Sequence, residues 1–453
     1  MKKMKSAWAA VGASLLVAAC GGGGDGNQAP KIQFTSMVTF GDSFSDVGTY
    51  AVGGVLAAGG GKYTVNGITN DTIANPASKN WTERIAAQLG LPAPCPAQTG
   101  LAGAGFPPTN TGPIASSFYS TCYNYAQGGA RVTNTIGPVN VANGDPTSLA
   151  IGQLTVPVVT QIQNHLAKVT QFSGTELVTV MAGGNDVLQL LDPVAAAGSA
   201  AFANSLVPAL ATGATNVNAL QIIGGALAAE SARLGSTDAS KVGAAVLAAA
   251  TTAGNPSVAN PAVYGPMVAA ATTAGNDAAA LYLTANSNAN YLAMVQAMGV
   301  AGAQLAGYVN SLIVANGAKY VAVLNLPDVS LSPASKAKPA AIQGLIHLMV
   351  TTFNDQLRAG LGSNSRILQV DVYANINDQV ANPAAYGLTN VTGSACNTAL
   401  EVLVSSMLCT KDTLNTGDVS HYLFAEDGGH PTPYELKLLS QLVARDMLVA
   451  GWL

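Results

Sequence analysis

Five short, unbroken apolar runs constrain this chain most: FTSMVTF (34–40), CYNYA (122–126), ELVTVMA (176–182), YVAVLNL (320–326) and RILQVDV (366–372). Runs without polar alternation suit strands buried on both faces. Helical patterns lie between them. In NWTERIAAQLG, Asn80 can cap, Glu83 sits three residues on and Gly90 ends the helix; further helical stretches cover about 156–172, 287–316 and 336–360. Parallel strands need crossover connections, so this alternation predicts an α/β sandwich with a parallel sheet of about five strands and helices on both sides. Ligands in such sheets lie beyond the carboxyl ends of the strands. The residues that follow each apolar run are therefore the first candidates for chemistry.

One segment breaks the rhythm. Residues 190–295 are Ala-rich and poor in charge, and they contain the octapeptide AAATTAGN twice, at 248–255 and 269–276. This composition favours helices. The insertion could cover a site as a lid, or pack beside the sheet as an embellishment, and the sequence leaves both readings open.

The beginning of the chain reads as an export signal. Three lysines precede an apolar stretch from Ala7 to Ala19, and small residues lead to Cys20. Thirteen apolar residues are too few to span a bilayer core of roughly 30 Å as a helix. LVAAC resembles the lipobox of bacterial lipoproteins, which implies a signal peptide over 1–19 and lipidation of Cys20. GGGGDGNQAP (21–30) then reads as a flexible tether, so that 20–33 would hold a domain spanning 34–453 off a membrane. The expected location is the cell envelope, as an anchored lipoprotein, or the exterior if the leader is a plain signal peptide.

Charged residues make up only 9% of the chain, with no basic run past the extreme N-terminus, which excludes a nucleic-acid footprint or a polybasic membrane patch. Four cysteines follow Cys20: Cys95, Cys122, Cys396 and Cys409. In an exported chain they favour two disulfides, and pairing Cys95 with Cys122 and Cys396 with Cys409 closes the shortest loops, although spacing alone does not prove the connectivity. There is no Cys-x-x-Cys and no close Cys/His cluster, so no metal site is expected.

Three of the strand ends carry suggestive residues. GDSFSDVG places Ser43 just past the first run, where a serine can act as a nucleophile, though Ser45 or Asp46 could equally open a helix. NYAQGGAR places Gly128 and Gly129 past the second, where a backbone N–H can face a ligand or simply form a turn. AGGNDV places Asn185 past the third, either as an amide donor to a developing oxyanion or, like Asp186, as a helix cap. The chain contains no Gly-x-Ser-x-Gly elbow.

GDS at 41–43, the glycine of NYAQGG, GGND at 183–186 and DGGHPT at 427–432 occur in the order found in the SGNH (GDSL-motif) hydrolase family, which the chain resembles over about 34–453 apart from the insertion. LNLPDVSLSP, FNDQL and DVYANINDQVANPAAYGLTNVT are similar to the lipase and acylhydrolase branch. The resemblance implies a flavodoxin-like sheet and a serine esterase. Carried over residue by residue, it makes Ser43 the nucleophile, Asp427 and His430 its triad partners, and Ser43, Gly129 and Asn185 the oxyanion hole.

The chain has four histidines, His165, His347, His421 and His430, and DVSHYLFAEDGGH holds Asp-x-x-His twice. Thr432 can cap the helix that follows His430, with Pro433 first and Glu435 completing a capping box, so His430 sits on a glycine-containing loop. Asp418 and His421 lie in an extended stretch where side chains three apart face opposite ways. His430 is thus the expected base and His421 a supporting residue.

The expected function is hydrolysis of a carboxylic ester, with the apolar insertion pointing to a lipid-like substrate and no cofactor required. Carbohydrate O-deacetylation or acyl transfer would use the same site. A binding-only surface lipoprotein is the alternative from another class.

Overall fold

The computed structural model describes residues 32–106, 112–400, 405–426 and 428–453. The leader, Cys20, the Gly-rich stretch 21–30 and Asp427 lie outside them.

Four strands, β1 (Met37–Gly41), β2 (Leu177–Met181), β3 (Tyr320–Leu324) and β4 (Ile367–Val370), form one parallel sheet in that order. The fifth expected strand is reduced to a bridge. Thr39 pairs with Asn124 on the outer edge of β1, its N–H donating to the Tyr123 carbonyl while the Tyr125 N–H donates to the Thr39 carbonyl. The other edge of this short segment is pinned to residues 95–97 by the Cys95–Cys122 disulfide and by the Ala97 N–H bond to the Asn124 carbonyl, so no longer ladder forms. With the segment counted, the strand order matches that of flavodoxin-like sheets.

The register explains the unbroken apolar runs. Met37 pairs with Leu177, and Val38 with Val178, along β1 and β2. Val38, Phe40, Val178, Val180, Val321 and Val323 then face one hydrophobic core, while Met37, Leu177, Met181, Ala322 and Leu324 face another. Successive strand residues point to opposite faces, so a strand covered on both faces has no polar side. Helices α1 (Trp81–Gln88) and, last in the chain, α10 (Pro433–Val449) cover one face. The other is covered by α2 (Val158–Val169) and α8 (Ala340–Leu361). Asn80 and Glu83 form the expected capping box at the start of α1.

Between β2 and β3 the chain is helical: α3 (Gly184–Ala211), α4 (Ala219–Ser231), α5 (Asp238–Ala250) and α6 (Pro261–Tyr308). Helix α6 is broken at Ala285–Asn288, where three successive residues take left-handed backbone angles. These helices share a core of their own around Leu206, Leu210, Ile223, Leu227 and Val246. Helices α3 and α6 cross where a Cβ on Gly275 would lie 2.9 Å from the Gly198 carbonyl oxygen, so a larger residue there would push the helices apart.

The two disulfides are Cys95–Cys122 and Cys396–Cys409. The second closes a loop that packs against the final strand pair, β5 (Asn390–Ser394) and β6 (Tyr422–Phe424), which delivers His430 to α10. Thr432 caps α10 by accepting from the Glu435 N–H.

The Glu435 side chain does not complete a capping box. It is buried, burial pushes its carboxyl up to about 8, and the Gln379 amide is its hydrogen-bond partner at 3.1 Å. Glu435 Oε2 and Gln379 Oε1 have no partner among the described residues. Because the folded state holds this proton more tightly than the unfolded chain, stability is lost as the pH rises from about 4.5 towards 8. Glu435→Gln removes that loss and supplies an amide donor beside the Gln379 oxygen. Thermal melts should show a gain of roughly 2–4 °C per kcal/mol recovered, larger at pH 8 than at pH 5.

Candidate active site

The carboxyl end of β1 leads straight into Ser43, and the backbone around it is crowded. A Cβ on Gly41 would lie 2.2 Å from the Met181 carbonyl oxygen, and Gln161 clamps that glycine through both its N–H and its carbonyl, each at 2.8 Å. Ser43 is 6% exposed, and its Oγ lies 2.8 Å from His430 Nε2. On the other side of the ring, His430 Nδ1 lies 2.6 Å from Oε1 of Glu426. A carboxylate can only accept there, so the ring carries its proton on Nδ1, and Nε2 is left to accept from the serine hydroxyl. Aromatic rings brace the imidazole: Tyr63 at 4.9 Å and Phe44 at 5.9 Å between centroids.

The carboxylate described at Nδ1 is Glu426, whereas the sequence reading assigned that place to Asp427, which lies outside the described residues. The reason lies in the strand end. Phe424 bridges Pro431 in antiparallel fashion, the Ala425 N–H donates to the His430 carbonyl, and the Gly429 N–H donates to the Glu426 carbonyl. The chain thus reverses over 425–430, which faces Glu426 towards the histidine four residues on. A Cβ on Gly428 would lie 2.6 Å from Glu426 Oε1, so this glycine clears the carboxylate's path. Burial alone would raise the Glu426 carboxyl. The His430 charge and hydrogen bonds from His430 and from the Ser406 backbone outweigh it and hold the group below the usual glutamate range. No sequence spacing singled out Glu426; the glycine directly after the Glu-Asp pair is the one signal that could have done so.

Gly128 and Gly129 sit on a loop tied down from two sides. Asp46 accepts from the N–H groups of Gly48, Thr49 and Gly128, and burial pushes its carboxyl up to about 6. Asp186, at the start of α3, accepts from Arg131 Nε at 2.9 Å and from the Val132 N–H at 3.0 Å. Its neighbour Asn185 is 6% exposed and donates through Nδ2 to the Ala130 carbonyl at 2.9 Å. The structure therefore links the loop carrying Gly129 to both Ser43's turn and Asn185.

Gly129 has φ +77°, and a Cβ there would lie within 2.7 Å of Gln153, Pro138 and Thr155. Thr155 itself is fully buried at φ +49°, a conformation costly for a β-branched residue and held here by bonds to Tyr50 and Thr135. Among the described residues, the backbone N–H groups of Ser43 and Gly129 meet no acceptor. Uncommitted N–H donors of this kind are the groups that can receive a negative oxygen.

The other histidines are committed elsewhere. His421 stacks on Tyr434 at 4.1 Å, and its two ring nitrogens face the carbonyl oxygens of Gly387 and Ala74. Asp418 accepts from Ser420 and makes no bond to His421. His165 is buried among Phe40, Tyr125 and Phe172, and burial lowers its ring to about 4. His347 pairs with buried Asp328 at 2.9 Å. No group of three potential metal-ligating side chains occurs among the described residues.

Comparison with known proteins bears on this arrangement. A model of the GDSL-like lipase/acylhydrolase family matches residues 37–269, just over half of the chain. The chain belongs to that family. The match includes β1, Ser43, Gly129 and Asn185 and stops before Glu426 and His430. Two relatives from Arabidopsis thaliana are similar over shorter stretches. The anther-specific proline-rich protein APG is 29% identical over 140 residues, which cover 29% of this chain and 26% of that protein. The GDSL esterase/lipase At5g55050 is 23% identical over 146 residues, 29% of this chain and 37% of that protein. The chain thus matches between a quarter and two fifths of the length of these relatives. Membership of this hydrolase family supports an esterase-type activity.

Proposed function

We propose that the protein is a serine carboxylic ester hydrolase that works through an acyl-enzyme intermediate. The observation that carries this reading is the unbroken chain Ser43 Oγ, His430 Nε2, His430 Nδ1, Glu426 Oε1, with contacts of 2.8 Å and 2.6 Å. Ser43 attacks the ester carbonyl while His430 takes its proton; Glu426 stabilises the imidazolium that forms. The Ser43 and Gly129 N–H groups, with the Asn185 amide, receive the oxyanion. His430 then returns the proton to the leaving alcohol. A water activated by the same base releases the acid and frees Ser43 for another cycle.

Labelling with a fluorophosphonate probe, together with p-nitrophenyl ester hydrolysis, tests the reading. Wild-type protein should be labelled and active, and Ser43→Ala should be neither. Labelling that persists in Ser43→Ala would remove Ser43 as the nucleophile. Asn185→Ala is expected to lower kcat by about 10²- to 10³-fold with a smaller change in KM, because an oxyanion donor acts mainly after the carbonyl has been attacked. Equal losses through KM alone would assign Asn185 to ground-state binding.

Lipidation of Cys20 and anchoring at the cell envelope belong to the same proposal. They rest on the sequence of the leader and are checked by incorporation of labelled fatty acid into wild-type protein against Cys20→Ala.

A further inference from the structure

A groove of about 1370 Å³ runs between α3, α4, α5, α6 and the segment 334–342, and it is apart from the triad. That exceeds the roughly 300–1,000 Å³ of an ordinary small-molecule pocket. Its walls explain part of the space: at Gly224 on α4 and Gly243 on α5, a Cβ would meet nothing nearer than 3.9 Å, so no side chain fills the gap there. A closed core would require larger residues at these positions. Among the lining residues only Asp238, Lys241 and Lys338 are charged, and the first two pair with each other at 3.0 Å.

Two walls of this groove begin at the candidate active site. Helix α3 starts at Gly184, next to Asn185, and reaches the groove at Leu191, about 9 Å along its axis at 1.5 Å per residue. Leu188, which is 45% exposed, lies between them at the helical spacing that keeps 185, 188 and 191 near one face. On the opposite side, Ser332 packs against Gly429, the neighbour of His430, where a Cβ would lie 3.1 Å from the serine Cβ. Ser332 caps α7 (Pro333–Lys336), and Ala334 already lines the groove. Helix α3 on one side and the Ser332–Ala334 segment on the other therefore each run from the candidate site to a trough whose lining is largely apolar.

We infer that this groove is the subsite for a long aliphatic acyl chain, so that the substrate class is esters of long-chain fatty acids. The inference rests on the esterase reading for its chemistry. The chain bonded to the carbonyl carbon leaves the reacting centre beside Asn185 and follows α3, with Leu188 as its first apolar contact. The Ala-rich insertion is, on this account, neither a lid nor an embellishment but the wall of a chain-binding trough.

Filling the groove tests this. A Cβ on Gly243 meets nothing within 4 Å, and one on Gly224 meets only Val207 at 3.9 Å, so leucines at both positions project into the groove without a clash. The Gly224→Leu/Gly243→Leu variant should lower the ratio of kcat/KM for p-nitrophenyl laurate to that for the butyrate by at least tenfold. Gly225→Leu, also in open space but outside the groove, should keep the wild-type ratio. A filled variant whose circular dichroism is native and whose ratio is unchanged would overturn the inference.

Binding of 11-(dansylamino)undecanoic acid to Ser43→Ala protein provides a readout independent of turnover. Saturable binding that weakens at least tenfold when Gly224 and Gly243 are also leucine supports the groove, and absent or unaltered binding refutes it. If wild-type protein cleaves no ester while the probe binds in this way, the esterase reading fails and the groove stands.

Discussion

Ser43→Ala is expected to reduce kcat for p-nitrophenyl ester hydrolysis by roughly 10⁴- to 10⁶-fold with little change in the melting temperature. His430→Ala should cost about as much, and the double variant no more than either alone, because nucleophile and base act as one unit in such sites. The geometry sets this expectation. A neutral hydroxyl is a poor nucleophile, and the contact that activates it here is the 2.8 Å bond from Oγ to Nε2. Ser43 is nearly buried, but its side chain supports none of the loop's other hydrogen bonds, so its loss should leave the fold intact. Stopped-flow traces with p-nitrophenyl butyrate would show whether the wild-type protein releases a burst of nitrophenol equal to the sites present. Additive losses in the double variant would mean that Ser43 and His430 serve different steps.

Glu426→Gln is expected to lower kcat by about 10³- to 10⁴-fold, as the loss of the orienting carboxylate does in other serine triads, whereas Asp427→Asn should stay within a few-fold of wild type. An amide at position 426 could present its N–H₂ to Nδ1 and so favour the wrong tautomer, and it would remove the negative charge that stabilises the imidazolium. The variant also bears on stability in acid. Glu426's folded carboxyl titrates below the ordinary glutamate value. Its contribution is therefore present above about pH 4.5 and is lost as the pH falls through the depressed folded value. Glu426→Gln should flatten the acid side of the stability profile, and Asp427→Asn should not. Activity lost in Asp427→Asn and kept in Glu426→Gln would return the role to Asp427.

The difference between those two carboxylates shows where reading the residues ended. The sequence motif pairs aspartate with histidine at a spacing of three, and the neighbouring glutamate gives no sign of its role. What selects it is a backbone reversal held by two hydrogen bonds between 425 and 430 and by the Phe424–Pro431 bridge, together with a glycine that leaves room for the longer side chain. His430 was legible because a helix cap follows it directly, and a cap is a local signal. His421 was recognisable as a supporting residue for a similar reason, whereas its partners Gly387 and Ala74, 34 and 347 positions away, were not.

The octapeptide AAATTAGN makes the same point twice over. At 248–255 it ends α5, with Gly254 at φ +75° before Pro256. At 269–276 it lies in the helical stretch of α6, with Gly275 against Gly198. Eight identical residues carry no preference strong enough to decide between helix and turn; the proline that follows one copy and the helix that packs on the other decide it.

By itself, then, the sequence determined the sheet, the order of its strands' chemistry and the position of Ser43, because unbroken apolar runs, caps and strand-end glycines act over a few residues. Only the tertiary structure decided which carboxylate meets the histidine, how Asp46 and Asp186 secure the loop of Gly129, and that the Ala-rich helices leave a trough between them. Those outcomes depend on contacts between residues tens to hundreds of positions apart, where the strength of a local preference says nothing about what will be adjacent.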